Sequence, residues 1–202
     1  MAEKKKFFEI ELPIIKDKIA LYSTSKEKLN KRKIKIDITR KLRGKSIELI
    51  FRVLVEKENI KAVPYRMHLF SYFIRRMMRK SISYVEDSFS AECKDAVLKI
   101  KPFIISRKKV SRKVKSALRE EAKKQIKEKI KNQKYEDLLA ELLSGNFQKE
   151  LGLKLKKIYP LSLCEIRDIF KEKDLAESQE KETEKKVKVK KEISEKEEDT
   201  SK

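Results

Sequence analysis

Side chains able to do acid, base or nucleophilic chemistry near neutral pH are few in this 202-residue chain: one histidine, His68, and two cysteines, Cys93 and Cys164. A catalytic histidine needs a nucleophile, an acid or a metal-ligand set beside it, and no such partner is signalled. No HExxH, Cys-x-x-Cys or GxSxG occurs. Three glycines, Gly44, Gly145 and Gly152, cannot build a Walker or dinucleotide-binding loop. A packed or ligand-contacting role suits His68 better than a catalytic one. The two cysteines cannot make a disulfide framework or a four-ligand zinc site; they read as small core hydrophobes in a reducing compartment. The pattern therefore predicts no catalytic residue, no metal and no cofactor.

Phosphate recognition is the chemistry the chain does supply. Four acid-free basic segments punctuate it. The first carries Arg40, Lys41, Arg43 and Lys45, and the second Arg75, Arg76, Arg79 and Lys80. The third holds Arg107, Lys108 and Lys109 and continues with Arg112, Lys113 and Lys115; Lys154, Lys156 and Lys157 make the fourth. Guanidinium groups hold phosphates bidentately, and each neutralised phosphate releases counterions. The whole chain has 54 Lys+Arg against 33 Asp+Glu, a formal net charge of +21. Residues 171–202 contain 10 lysines and 11 acids, so residues 1–170 keep 44 basic and 22 acidic side chains. Charge so unbalanced on a compact body calls for an anionic partner.

A membrane is the chief rival to nucleic acid. The basic amphipathic segment 111–133 has no Trp or Phe on its apolar face, and that face is spaced for packing on a core. There is no apolar run near the ~18–20 residues that cross a bilayer, and no signal-peptide pattern at the N-terminus. A soluble, intracellular protein without membrane contact or homo-oligomer is expected. The pattern lacks the marks of helix-turn-helix, zinc-finger or basic-zipper DNA readers and the aromatic submotifs of an RNA-recognition motif. Dispersed basic clusters imply one large folded RNA touched on many sides, with His68 either packed or against that RNA.

The elements that would position these groups follow from hydrophobic period. Alternation at Phe8, Ile10 and Leu12, at Ile34, Ile36 and Ile38, from Ile47 to Val55, and at Val97 with Phe103 to Ile105 predicts half-buried strands. Weaker candidates at 60–66 and 81–91 raise the number to five to seven. One helix interrupts them at 69–80, burying Phe70, Phe73, Ile74, Met77 and Met78 and exposing the arginines. From Ser111 the period becomes 3.6, with Val114, Leu118, Ala122, Ile126 and Ile130 on one face behind a serine cap. A second helix carries Tyr135, Leu138, Leu139, Leu142 and Leu143 and stops at Gly145. A third runs from about Asn146 to before Pro160, and 161–170 reads as a strand returning to the first sheet. The expected fold is α+β: an antiparallel β-barrel-like domain over 1–106 with one inserted helix, a helical part over 107–170 ending in a candidate strand, and a charged tail over 171–202 that is disordered when free.

Several of these residues, in this order, resemble one family. They are Asp37-Ile38-Thr39 before the strand 47–55; His68 opening an arginine-rich helix; Lys94-Asp95 in a turn; Ser106-Arg107-Lys108-Lys109 leading into a long Lys/Glu helix; and Lys156-Lys157-Ile158-Tyr159-Pro160-Leu161 followed by Glu165-Ile166-Arg167. Over roughly residues 7–170 the chain is similar to the archaeal and eukaryotic small-subunit ribosomal protein family eS-one, also written S-three-A-e. Its Lys- and Ile-rich character, the absence of tryptophan and Met67 where the family carries glycine resemble a divergent archaeal member. The resemblance implies a β-barrel-like domain with a helical C-terminal part. It further implies a structural constituent of the small ribosomal subunit, cytoplasmic and ribosome-bound, on the platform near the RNA 3′ end. Its partners would be small-subunit ribosomal RNA and neighbouring small-subunit ribosomal proteins. Read without the resemblance, the same charge pattern also fits a free-standing RNA-binding regulator that exchanges on and off messenger or structured RNA.

Overall fold

The computed structural model describes residues 4–42, 44–56 and 59–174. The chain opens with a hairpin, β1 (Lys6–Leu12) and β2 (Asp17–Ser23), followed by a 3-10 turn (Glu27–Leu29). Then come β3 (Lys33–Asp37), β4 (Ile47–Glu56), β5 (Asn59–Leu69) and the helix α1 (Ser71–Met77). Strands β6 (Tyr84–Glu86), β7 (Phe89–Glu92) and β8 (Ala96–Ser106) lead into α2 (Arg112–Ile130), α3 (Tyr135–Ser144) and α4 (Asn146–Leu155). The last described element is β9 (Leu161–Asp174). All strand pairs are antiparallel, in one sheet ordered β3-β4-β5-β9-β8-β6 with β7 also on β8, and in the separate β1-β2 ribbon. The α+β class is as expected, in the form of an open sheet.

Local chemistry explains the breaks in this sheet. Strands β6 and β7 pair with β8 in one common register, interrupted at Asp87 and Ser88. The interruption faces Pro102, which has no N–H for the ladder. In β5 the register shifts between the partners of Ile50 and Phe51, leaving Tyr65 as a bulged residue. Its freed carbonyl accepts a hydrogen bond from the Tyr135 hydroxyl at 3.0 Å, and Tyr135 is among the largest fully buried side chains. A helix residue thus completes the strand's hydrogen bonding.

The helical reading of the second half holds. Leu118, Ala122, Ile126 and Ile130 of α2 are all at most 1% exposed, and each Leu or Ile so buried contributes about 1.5–3 kcal/mol. Gly145 ends α3 at φ 80°, a left-handed position that disfavours any residue with a β-carbon. Helix α4 lies on β9, and residues of both halves of the chain join one hydrophobic cluster.

Several details depart from the expectations. Strand β2 and the 3-10 turn are additional to the expected elements, because Asp17-Lys18 and Lys26-Glu27-Lys28 mask their apolar positions. Helix α1 is shorter than 69–80: Leu69 and His68 are held as strand by Ile47 and Glu48 of β4, so His68 does not open the helix. Met78 has left the helix with φ −82° and ψ 129° and is 40% exposed, whereas Phe73 and Ile74 are buried as expected. Strand β9 continues to Asp174, four residues into the segment expected as tail, because those residues pair with β8 as far as Ala96. The remainder of that segment, and Arg43, lie outside the described residues.

The insertion of β9 between β5 and β8 puts one carboxylate at the centre of the sheet. Asp168, 1% exposed, stands opposite His68 on β5 and Lys101 on β8. It accepts a bidentate pair from Arg66 at 2.7 and 2.6 Å and a further bond from Lys101 at 3.3 Å. Breaking a buried ion pair from one side typically costs about 3–5 kcal/mol, and the partial exposure of both cations reduces that here. Asp168→Asn should therefore destabilise the protein by about 2–4 kcal/mol, read as a lower urea midpoint at unchanged slope.

Candidate nucleic-acid interface

Each basic segment sits at the end of an element, where the chain turns and side chains fan out. The segment 40–45 joins β3 to β4. Arg75, Arg76, Arg79 and Lys80 occupy the end of α1 and the turn after it, all exposed. Arg107 to Lys109 link β8 to α2 and are exposed, as are Arg112 and Lys113, while Lys115 is half-buried. Lys156 and Lys157 follow α4, exposed.

Hydrogen bonds tie these turns to one another. The Arg76 guanidinium donates to the Gly44 carbonyl at 3.4 Å, which joins the second segment to the first. The Ser106 hydroxyl donates to the Ser83 carbonyl at 2.9 Å, and the backbone N–H of Val110 donates to the Ser83 hydroxyl at 3.2 Å. That anchors the 107–109 turn beside the chain that leaves Arg79 and Lys80. On its other side the Arg107 N–H donates to the Pro160 carbonyl at 3.2 Å, holding it to the turn that carries Lys156 and Lys157. A groove of about 440 Å³ between the α3–α4 turn and the first residues of β9 is lined by Lys45, Arg107 and Lys156 together with Lys149. Segments scattered over more than a hundred positions of sequence thus form one linked basic region. The sequence does not single out Lys149, although it precedes Lys156 by seven residues, two helical turns on the same face.

The partners of these cations divide them into two sets. The Lys45 ammonium lies 2.8 Å from Glu165, whose side chain is 7% exposed, and Lys41 is ion-paired with Asp17. Arg40 adds to the factors that hold the Asp37 carboxyl below its ordinary value, after the hydrogen bonds from Thr39. Among the described residues, the clusters of α1, of 107–115 and of 156–157 form no ion pair with an acid of the chain. The nearby helix acids are engaged elsewhere, Glu141 and Glu150 by Lys129 at 3.4 and 2.7 Å. Ser111 caps α2 by position, but its side chain makes no capping hydrogen bond and the first turn has no acid. Three cations in that turn oppose the helix dipole, the exposed Arg112 and Lys113 and the half-buried Lys115, at about a few tenths of a kcal/mol each.

Of the side chains capable of acid, base or nucleophilic chemistry, Cys93 is buried in the core, and His68 and Cys164 are half-buried. His68 is half-buried beside Asp168, with Nδ1 3.8 Å from the carboxylate. Burial lowers its pKa below the ordinary 6.5, against the pull of Asp168 and with the push of Arg66 and Arg167. Burial likewise pushes the Cys164 thiol up to about 12, which leaves no thiolate near neutrality. The Cys93 sulfur bonds both backbone polar groups of Ala96 and closes the Lys94-Asp95 turn. Among the described residues no group of three or more His, Cys, Asp or Glu is placed to hold a metal ion, and no helix is long and apolar enough to cross a membrane.

The model of the Ribosomal S3Ae family matches residues 2–174. The small ribosomal subunit protein eS1 of Nanoarchaeum equitans is 24% identical over 178 residues, spanning 84% of this chain and 90% of that protein. The eS1 protein of Sulfolobus acidocaldarius is 24% identical over 171 residues, or 80% of this chain and 87% of its own length. That of Staphylothermus marinus is 23% identical over 132 residues, 64% of this chain and 62% of that protein.

Two expectations test the division between structural and free cations. Lys45→Met should lower stability by about 1–3 kcal/mol in chemical unfolding, because Glu165 is left buried without its cation, and adding Glu165→Leu should recover most of the loss. The second concerns His68. Its folded pKa lies below 6.5, so the unfolded chain takes the proton first and stability falls as pH drops below about 6.5. Thermal unfolding between pH 7 and 5 should show this decline, and His68→Gln should flatten it; the carboxyls with lowered pKa act only at more acidic pH.

Proposed function

From the premise that the chain belongs to the Ribosomal S3Ae family, we propose that it is a structural constituent of the small ribosomal subunit that binds ribosomal RNA. It does so through the linked basic turns, on the platform near the RNA 3′ end, in contact with neighbouring small-subunit proteins and as part of cytoplasmic ribosomes. It catalyses no reaction. The observation that carries this reading is the set of unpaired cations in the α1, 107–115 and 156–157 clusters, joined through hydrogen-bonded turns into one region. Charge held on rigid, mutually braced turns costs little further ordering when a phosphate backbone docks, and phosphate contacts fix orientation without reading sequence. At the start of α2 the uncapped N–H groups and the three surrounding cations suit a phosphate, which relieves the unfavourable dipole. Arg40, Lys156 and Lys157 extend the same surface. Lys41 and Lys45 act on RNA only through the turn that their own ion pairs hold in shape, and His68 acts from within the sheet.

The test is assembly and salt dependence together. In a sucrose gradient of cell extract the chain should migrate with the small subunit and remain there through moderate salt washes. Replacing Arg107, Lys108 and Lys109 by Gln should weaken RNA binding for all sequences. It should make the slope of log K against log salt shallower by about 0.7–0.9 for each phosphate no longer neutralised, while the free protein stays folded. A chain found only in free fractions, or an unchanged slope with a destabilised protein, would refute the reading.

A further inference from the structure

The strongest feature outside the basic turns is on the β1-β2 ribbon. Its strands alternate strictly. Ile10 and Leu12 are buried at 1% and 2% exposure, and Phe8, Ile19 and Leu21 pack partly against the core. The other face carries three cross-strand pairs, Phe7 with Tyr22, Glu9 with Ala20, and Glu11 with Lys18. Glu11 and Lys18 neutralise each other at 2.9 Å. At the open end, away from the Pro13–Lys16 turn, Phe7 is 72% and Tyr22 52% exposed, their ring centroids 4.9 Å apart and planes tilted by 39°. Lys4, Lys5 and Lys6 precede Phe7 and are exposed, and the Lys5 ammonium lies 5.4 Å from the centre of the Tyr22 ring.

We propose that Phe7 and Tyr22 form a stacking platform for an unpaired base of the RNA, with Lys5 and its neighbours holding the adjoining phosphates. This rests on the RNA reading above and adds a contact of another kind. The linked turns meet backbone charge, whereas the ribbon takes the flat face of a base that is not in a duplex. Two rings presented side by side on a two-stranded ribbon keep few rotatable bonds, so little freedom is lost on stacking. A flanking run of three lysines makes the same patch attractive to a polyanion and repellent to a basic protein neighbour. A duplex, whose bases are already stacked, offers this platform nothing.

The experiment compares the full-length protein with its Phe7→Ala/Tyr22→Ala form, binding a 12-nucleotide single-stranded RNA and a 12-base-pair RNA duplex at one salt concentration. The double variant should lose about tenfold or more in affinity for the single strand and stay within twofold for the duplex. The conservative exchange Phe7→Tyr should retain parental affinity for both. Because the chain contains no tryptophan, Tyr22→Trp supplies a unique fluorophore, which the single strand should quench and the duplex should not. An unchanged single-strand affinity overturns the platform. So does an equal loss on both RNAs, which would mean that the aromatic pair only steadies the ribbon. A double variant that binds RNA like its parent yet fails to enter small subunits would assign the patch to a protein neighbour. If the parent protein binds neither RNA, the RNA reading itself fails, and the platform with it.

Discussion

A single buried carboxylate sets the arrangement of the sheet. Asp168 sits where β9 is flanked by β5 and β8, and its oxygens are held by Arg66 from one neighbour and Lys101 from the other. A negative charge removed from water must be matched in place, and a cation on only one side would leave half of its acceptor positions unfilled. Sliding β9 by one residue would turn Asp168 to the opposite face and leave both cations without their partner. The ion cluster therefore acts as a register lock on the strand that carries Glu165 and begins beside the Lys156-Lys157 turn. The geometry of the basic region descends from it.

The division of acids follows from the same need. Five described carboxylates of the body are ion-paired across the fold, Asp168 and Glu165 from buried positions and Asp17, Glu141 and Glu150 across element boundaries. What the α1, 107–115 and 156–157 turns carry is cationic. A fold with a modest core can carry this imbalance because the excess sits at element ends, separated by solvent, and not across the faces that pack. The internal ion pairs thus draw on some members of one residue class and leave the cations of the α1, 107–115 and 156–157 clusters without an acid, and only the neighbour of each lysine distinguishes them.

Much of this is legible in the sequence where a period runs long enough. The four-residue repeat of α2, the stop at Gly145 and the return of 161–170 to the sheet all appear as expected, because burial repeats with the geometry of the element. Short elements with charged flanks, such as β2, carry too few apolar positions to declare a period. The end of β5 reads as helix because Leu69, Phe73 and Met77 are spaced as on a helix, while the strand pairing that claims Leu69 comes from β4, twenty residues away. The basic clusters are visible one by one. Their convergence is not, since it depends on Ser83, Pro160 and Gly44 meeting residues distant in sequence. Nor can composition say that Lys41 and Lys45 face acids while Arg107 does not.

The central position of β9 bears on how the molecule is made. A chain growing from its N-terminus presents β5 and β8 long before the strand that lies between them exists, so both inner edges wait open during synthesis. Those edges can pair with other chains, and joining β9 to β5 closes a loop of about a hundred residues, a slow event for a contact so distant in sequence. The β1-β2 and β4-β5 hairpins can form early, but the ion cluster and the basic region have to await the arrival of Asp168. A positively charged body that completes itself only once β9 has been made is exposed, until then, to unintended strand pairing, and early capture of its cationic turns by a polyanion would shield it.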